Sequence, residues 1–124
     1  MQRCRDGDDW LVVLSYQRLD VYQCAIRVVG ECARISKVVP SGYGDLADQL
    51  RRASVSVSLN IAEGAGRATA RDASRCYAIA RGSAMECAAI LDALAAITTR
   101  DAAPFAEATT LLVRTVEMLT KMCR

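Results

Sequence analysis

Residues 49–67 read Gln-Leu-Arg-Arg-Ala-Ser-Val-Ser-Val-Ser-Leu-Asn-Ile-Ala-Glu-Gly-Ala-Gly-Arg, and the fold class turns on whether this stretch is strand or helix. Val55, Val57 and Leu59 alternate with serines, as a half-buried strand would. The longer pattern overrides that local one. Leu46, Leu50, Ala53, Val57, Ile61 and Gly64 recur every three or four residues and extend past the alternating segment on both sides, which is the spacing of one helical face. A helix over about 45–67 is therefore predicted. Val55, Leu59 and Ala62 fall off this stripe. Apolar residues on two faces imply two burial partners, here the bundle core and a neighbouring subunit.

Three more helices follow by the same reasoning. Leu19, Tyr22, Ile26, Val29 and Ala33 suggest one over about 18–39, ended by Pro40 and Gly42. Thr69-Ala-Arg-Asp72 has the form of a capping box and opens a helix over 70–98, with Ile79, Met85, Ile90, Leu94 and Ile97 as its stripe. Gly82, Ser83 and Ala84 give that helix a narrow waist where another backbone can approach. Asp101 is placed to cap a helix over about 102–122, in which Pro104 is tolerated in the first turn and Leu111, Leu112, Thr115, Leu119 and Met122 form the apolar face. Residues 1–17 read as an irregular arm, because Gly7 and Asp8-Asp9 oppose an early helix. The expected fold is all-α, an antiparallel up-down-up-down four-helix bundle over residues 18–124.

Composition is consistent with that class. The chain has 124 residues, enough for one domain with its own core, and is 52% hydrophobic but only 5% aromatic. Small aliphatic side chains suit close helix–helix contact. The six cysteines, at 4, 24, 32, 76, 87 and 123, form no Cys-x-x-Cys, and the chain has no histidine. No zinc pattern results, and neither a metal nor a cofactor is expected. With no secretory signal and no run of about 20 apolar residues, the expected location is a reducing cytoplasm, with free thiols and no membrane association.

The net charge of +2 says little about nucleic acid. Its distribution says more. Between Arg51 and Arg81 six arginines face only Glu63 and Asp72, so this segment carries +4 and the remainder −2. Arginine outnumbers lysine 14 to two, which suits forked phosphate contacts, although a GC-rich coding sequence has the same effect. Arg67, Arg71, Arg75 and, less directly, Arg81 are the candidate phosphate-contacting residues, the first three spaced by four. The alternative is an ordinary solvated face.

Arg52, Ser56, Asn60, Glu63 and Arg67 share a second, polar face of the 45–67 helix. Opposite it on the next helix stand Arg75, Gly82 and Glu86. The expected role is a buried polar network fixing helix register, built from Arg52, Ser56, Asn60, Glu63, Ser83 and Glu86. Catalysis has little support. Di-metal bundles need histidines beside their glutamates, and serines 54, 56 and 58 lack a histidine to activate them. Gly64-Ala-Gly66-Arg67 follows a helix and lacks the Gly-Lys-Ser/Thr of a phosphate loop, so it reads as a helix C-cap and turn.

The segment Gln49–Arg67, with Ala80, Gly82, Ser83 and Glu86 beyond it, resembles the signature of proteins encoded within intervening sequences of bacterial 23S ribosomal RNA. The likeness extends over roughly residues 18–122, through Leu19–Gln23 and Glu117–Lys121. Ser58, Cys76 and Cys87 depart from it, where a proline, an aromatic residue and a leucine are usual. The resemblance implies a compact bundle assembling as a homo-oligomer, commonly a pentameric ring, and no settled activity. Proteins of similar shape, the accessory variability determinants of diversity-generating retroelements, bind nucleic acid and a reverse transcriptase. The expected function is a non-catalytic oligomeric bundle that binds RNA or DNA, or a nucleic-acid-processing partner, through a basic surface. The alternative is a scaffold that binds protein alone.

Overall fold

The computed structural model describes residues 14–98 and 103–123. These form four α-helices, α1 (Asp20–Ser36), α2 (Gly44–Ala65), α3 (Ala70–Thr98) and α4 (Ala106–Met122), with short 3-10 turns at Ser15–Arg18 and Ala103–Phe105. The described residues contain no strand. The alternating Val55–Leu59 segment lies inside α2. None of these helices is long and apolar enough to cross a membrane.

α1 stops at Ser36, short of the expected 39, because Pro40 has no N–H to bond the Ser36 carbonyl four residues back and its ring crowds that group in a helix. The Ser36 hydroxyl closes the end by donating to the Ala33 carbonyl at 2.8 Å. The chain then turns through Pro40–Tyr43, where the Tyr43 N–H donates to the Pro40 carbonyl at 3.2 Å. Gly42 takes φ 96° in this turn, a conformation that side chains with a Cβ rarely adopt. At the start of α3 the Thr69 hydroxyl accepts the Asp72 N–H at 3.1 Å, the Thr69 half of the expected capping box. Asp101, the expected cap of α4, lies outside the described residues. Pro104 sits in the 3-10 turn ahead of α4. Of the expected N-terminal arm, Ser15–Arg18 forms a 3-10 turn rather than irregular chain. The Tyr16 ring there meets Tyr22 edge-on at 4.8 Å between centroids.

Each helix packs against the next, and α4 packs back against α1. Ile35, Leu50, Ile61, Leu91, Leu94, Leu112 and Leu119 are among the largest fully buried side chains. Burying each contributes roughly 1.5–3 kcal/mol. One internal polar contact joins α1 to α4. The Thr115 hydroxyl bonds the Leu111 carbonyl at 2.8 Å and Cys24 Sγ at 3.2 Å, while the Cys24 thiol donates to the same carbonyl at 3.3 Å. A buried hydroxyl with a carbonyl acceptor avoids the cost of an unsatisfied group.

The stripes expected for α2 and α4 are largely the buried ones, with Leu46 and Met122 only half-buried. Those for α1 and α3 need correction. In α1 the core face is Val21, Cys24, Ala25, Val28, Cys32 and Ile35, whereas Ile26 is exposed and Tyr22, Val29 and Ala33 are half-buried. In α3 the core takes Cys76, Ala80, Ala84, Cys87, Ile90, Leu91 and Leu94, and leaves Ile79, Met85 and Ile97 outside. The physical reason is close approach. Small side chains on α3 let the α2 backbone come near, so the bulky ones turn outward. The tight point is Gly64 rather than the Gly82 waist. A Cβ on Gly82 would meet nothing within 4 Å, while one on Gly64 would stand 2.6 Å from Tyr77 Cε1. Burial there pushes the Tyr77 phenol up.

Candidate functional site

The polar face of α2 meets α3 along a seam. The hydroxyls of Ser56 and Ser83 hydrogen-bond at 3.0 Å. The Asn60 amide donates to the Ser56 carbonyl at 2.9 Å and to its hydroxyl at 3.1 Å. This trio is half-buried. It ties one helix to the next through short side chains that lose little rotamer entropy on ordering.

The remainder of the expected network is not buried. Arg52, Glu63 and Glu86 are exposed. Glu63 pairs with Arg67 one turn along, both side chains about half exposed, at 51% and 46%. An ion pair of that exposure contributes less than about 1 kcal/mol. The residue that meets Ser56 is Ser83, so the expected facing set of Arg75, Gly82 and Glu86 is displaced by one position at its centre. Long charged side chains reach water from the helix edge, and the seam keeps only the residues too short to do so.

The four candidate phosphate-contacting arginines do not form one line. Arg67 lies in the link between α2 and α3, just past the Gly66 C-cap. Its guanidinium is held protonated more firmly than usual by the Cys76 thiol and then by the Glu63 carboxylate. Arg81 turns toward α4, where its Nε donates to the Thr120 hydroxyl at 2.8 Å. Arg71 and Arg75, one turn apart at the start of α3, are both exposed. Neither has an ion-pair partner among the described residues. Two free guanidiniums at helical spacing can each fork onto a phosphate or carboxylate.

An open hollow of about 540 Å³ lies along the outer side of α2, lined by Arg52, Val55, Ser56, Leu59, Asn60 and Glu63. Leu59 is 62% exposed and Val55 40%. These are the off-stripe residues whose position implies a second burial partner, and the single chain leaves both in water. Ile79, Met85 and Val113 are also exposed large apolar residues. The α3 periodicity assigns Met85 to the core, so its outward position is not visible in the sequence. Val113, next to the buried Leu112, carries no separate signal.

No three potential ligands among His, Cys, Asp and Glu gather into a metal site among the described residues. Comparison with curated proteins returns no match. A sequence-family profile described as 23S rRNA-intervening sequence protein matches residues 17–121, which contain all of α1 to α4 but the last residue. With four helices around one core and a profile match over most of its length, the chain belongs to the 23S rRNA-intervening sequence protein family.

Proposed function

We propose that this protein is a non-catalytic, cytoplasmic, homo-oligomeric bundle that holds nucleic acid through Arg71 and Arg75. The observation that carries the proposal is the pair itself: two exposed guanidiniums one helical turn apart, with no acidic partner among the described residues. Arg67 and Arg81 flank the pair but are engaged by Glu63 and Thr120, so they contribute less. In this reading the helices run alternately up and down. Ser74 meeting Cys123 and Arg81 meeting Thr120 support that course for α3 and α4, and Ser56 meeting Ser83 with Gly64 beside Tyr77 supports it for α2 and α3, since within each pair of helices partner numbers fall as chain numbers rise. A ring of copies, five in the expected assembly, repeats the arginine pair around its rim. The protein partner consistent with this role is a nucleic-acid-processing enzyme, with a reverse transcriptase as the type, as for an accessory factor of a retroelement or intervening sequence.

The exposed Val55, Leu59, Met85 and Val113 support a second reading, a scaffold that binds only protein. Gel shifts with RNA and DNA at two salt concentrations separate the two. Wild type is compared with Arg71→Ala/Arg75→Ala after light scattering has matched their assembly sizes. Removing one phosphate-binding side chain flattens the slope of log K against log salt by about 0.9 on duplex DNA. Salt-sensitive binding that disappears in an intact mutant assembly supports the nucleic-acid role. An assembled wild type that binds neither nucleic acid at low salt refutes it and leaves the scaffold.

A further inference from the structure

The chain carries two different unpartnered apolar surfaces, and they are complementary in charge. One is the ridge that the exposed Val55 and Leu59 make on the outer side of α2, bordering the shallow hollow described above, with the exposed Arg52 at its end. The other is a groove of about 400 Å³ between α3 and α4, lined in part by the apolar Met85, Ala89, Val113 and Val116 and by the carboxylates Asp92 and Glu117. Val113 and Met85 are 53% and 50% exposed in the single chain.

We infer that the ridge of one copy seats in the α3–α4 groove of the next, joining subunits head to tail; this rests on the homo-oligomeric reading above. The spans agree. Arg52 and Leu59 are seven residues apart on α2, as are Met85 and Asp92 on α3, about 10.5 Å in each case at the helical rise. The charges agree as well. Arg52, Asp92 and Glu117 are exposed and have no ion-pair partner among the described residues. The Arg81–Thr120 bond puts Glu117 beside the Met85 end of the groove and leaves Asp92 at the other. A carboxylate therefore stands at each end, and Arg52 meets one in whichever direction the ridge lies. Joining two unlike patches is a heterologous contact, which closes a ring when the rotation permits. A ridge paired with itself would leave the groove open to water.

The test uses one substitution on each surface, Leu59→Asp on the ridge and Val113→Asp in the groove. Both residues are more than half exposed, so each variant keeps its helical circular dichroism. Light scattering with size-exclusion chromatography at one protein concentration reads the assembly. The expected result is an oligomeric wild type and a monomer for each variant alone. An equimolar mixture forms a 1:1 heterodimer, because the ridge variant retains a sound groove and the groove variant a sound ridge. A variant that still assembles as wild type does overturns the pairing, and so does a mixture that stays monomeric. A monomeric wild type overturns the oligomeric reading itself, which is a separate and recognisable failure.

Discussion

Alanine at Gly64 and alanine at Gly82 should move stability in opposite directions, although both glycines lie in helices. Gly82 is exposed within α3, and a Cβ there would meet nothing within 4 Å. Only helix propensity acts, so Gly82→Ala should stabilise by about 0.8–1 kcal/mol. Gly64 is buried in the last turn of α2. A Cβ there would stand 2.6 and 2.9 Å from the Tyr77 ring and 3.1 Å from Cys76 Cβ. The ring can swing outward, but the Cys76 Cβ moves only with the α3 backbone. Overpacking of this type costs about 1–3 kcal/mol. The propensity gain of about 1 kcal/mol offsets part of it, leaving a net loss of roughly 1 kcal/mol. The two variants should therefore differ by roughly 2 kcal/mol in urea unfolding at a fixed protein concentration. Adding Tyr77→Ala removes the closest contacts, so Gly64→Ala should cost about 1 kcal/mol less in that background, as a double-mutant cycle reads it. Stabilisation by Gly64→Ala matching that of Gly82→Ala would refute the close approach. So would a cost that Tyr77→Ala leaves unchanged.

Other substitutions probe the core and the seam. Glu63→Gln should change the urea midpoint by less than about 1 kcal/mol in free energy, because both partners of the Glu63–Arg67 pair are half exposed; a destabilisation of about 3 kcal/mol or more, of the order found for broken buried pairs, would mean the pair is desolvated in the assembly. Thr115→Val keeps the shape and removes the hydroxyl that bonds the Leu111 carbonyl. It should cost about 1 kcal/mol, since Cys24 still donates to that carbonyl. The buried Cys32 and Cys87 thiols share a proton-mediated contact that pushes Cys87 far above its ordinary range, with burial adding to it, and draws Cys32 down, so the folded pair holds on to one proton. The folded state thus keeps a proton that the unfolded chain loses above about pH 8.5. The stability that this proton contributes is fully present below that pH and is lost as pH rises further. Urea midpoints measured between about pH 7 and 10 should fall less steeply for Cys32→Ala/Cys87→Ala than for wild type, and equal slopes would remove the thiol pair from the account.

The candidate site is legible in the sequence only in part. Helical spacing places Ser56, Asn60 and Ser83 together, and the structure brings them within hydrogen-bond distance. The same spacing places Arg52, Glu63 and Glu86 with them, because they share the face by number. Side-chain length separates the two groups, since long charged groups at a seam escape to water while short hydroxyls cannot. The arginines divide for a similar reason. Spacing puts 67, 71 and 75 in a row, but a helix end intervenes between Arg67 and Arg71, and the acceptors Glu63 and Thr120 lie outside that row.

The sequence by itself determined that this chain is four helices and roughly where each one ends. Pro40 with Gly42 breaks the chain at one link, Gly66 followed by the Thr69 cap marks another, and periodic apolar positions fill the intervals. It did not determine which stripe of α1 and α3 faces inward. Periodicity reports spacing, not phase, when both candidate faces are apolar. In α3 one face offers Ala80, Ala84 and Cys87 and another Ile79 and Met85. The choice belongs to the packed helices, because α3 turns its small residues into the shared core and the α2 backbone at Gly64 comes within a Cβ's reach of Cys76 and Tyr77. That packing turned Met85 outward to line the groove beside α4, a surface that no single helix possesses.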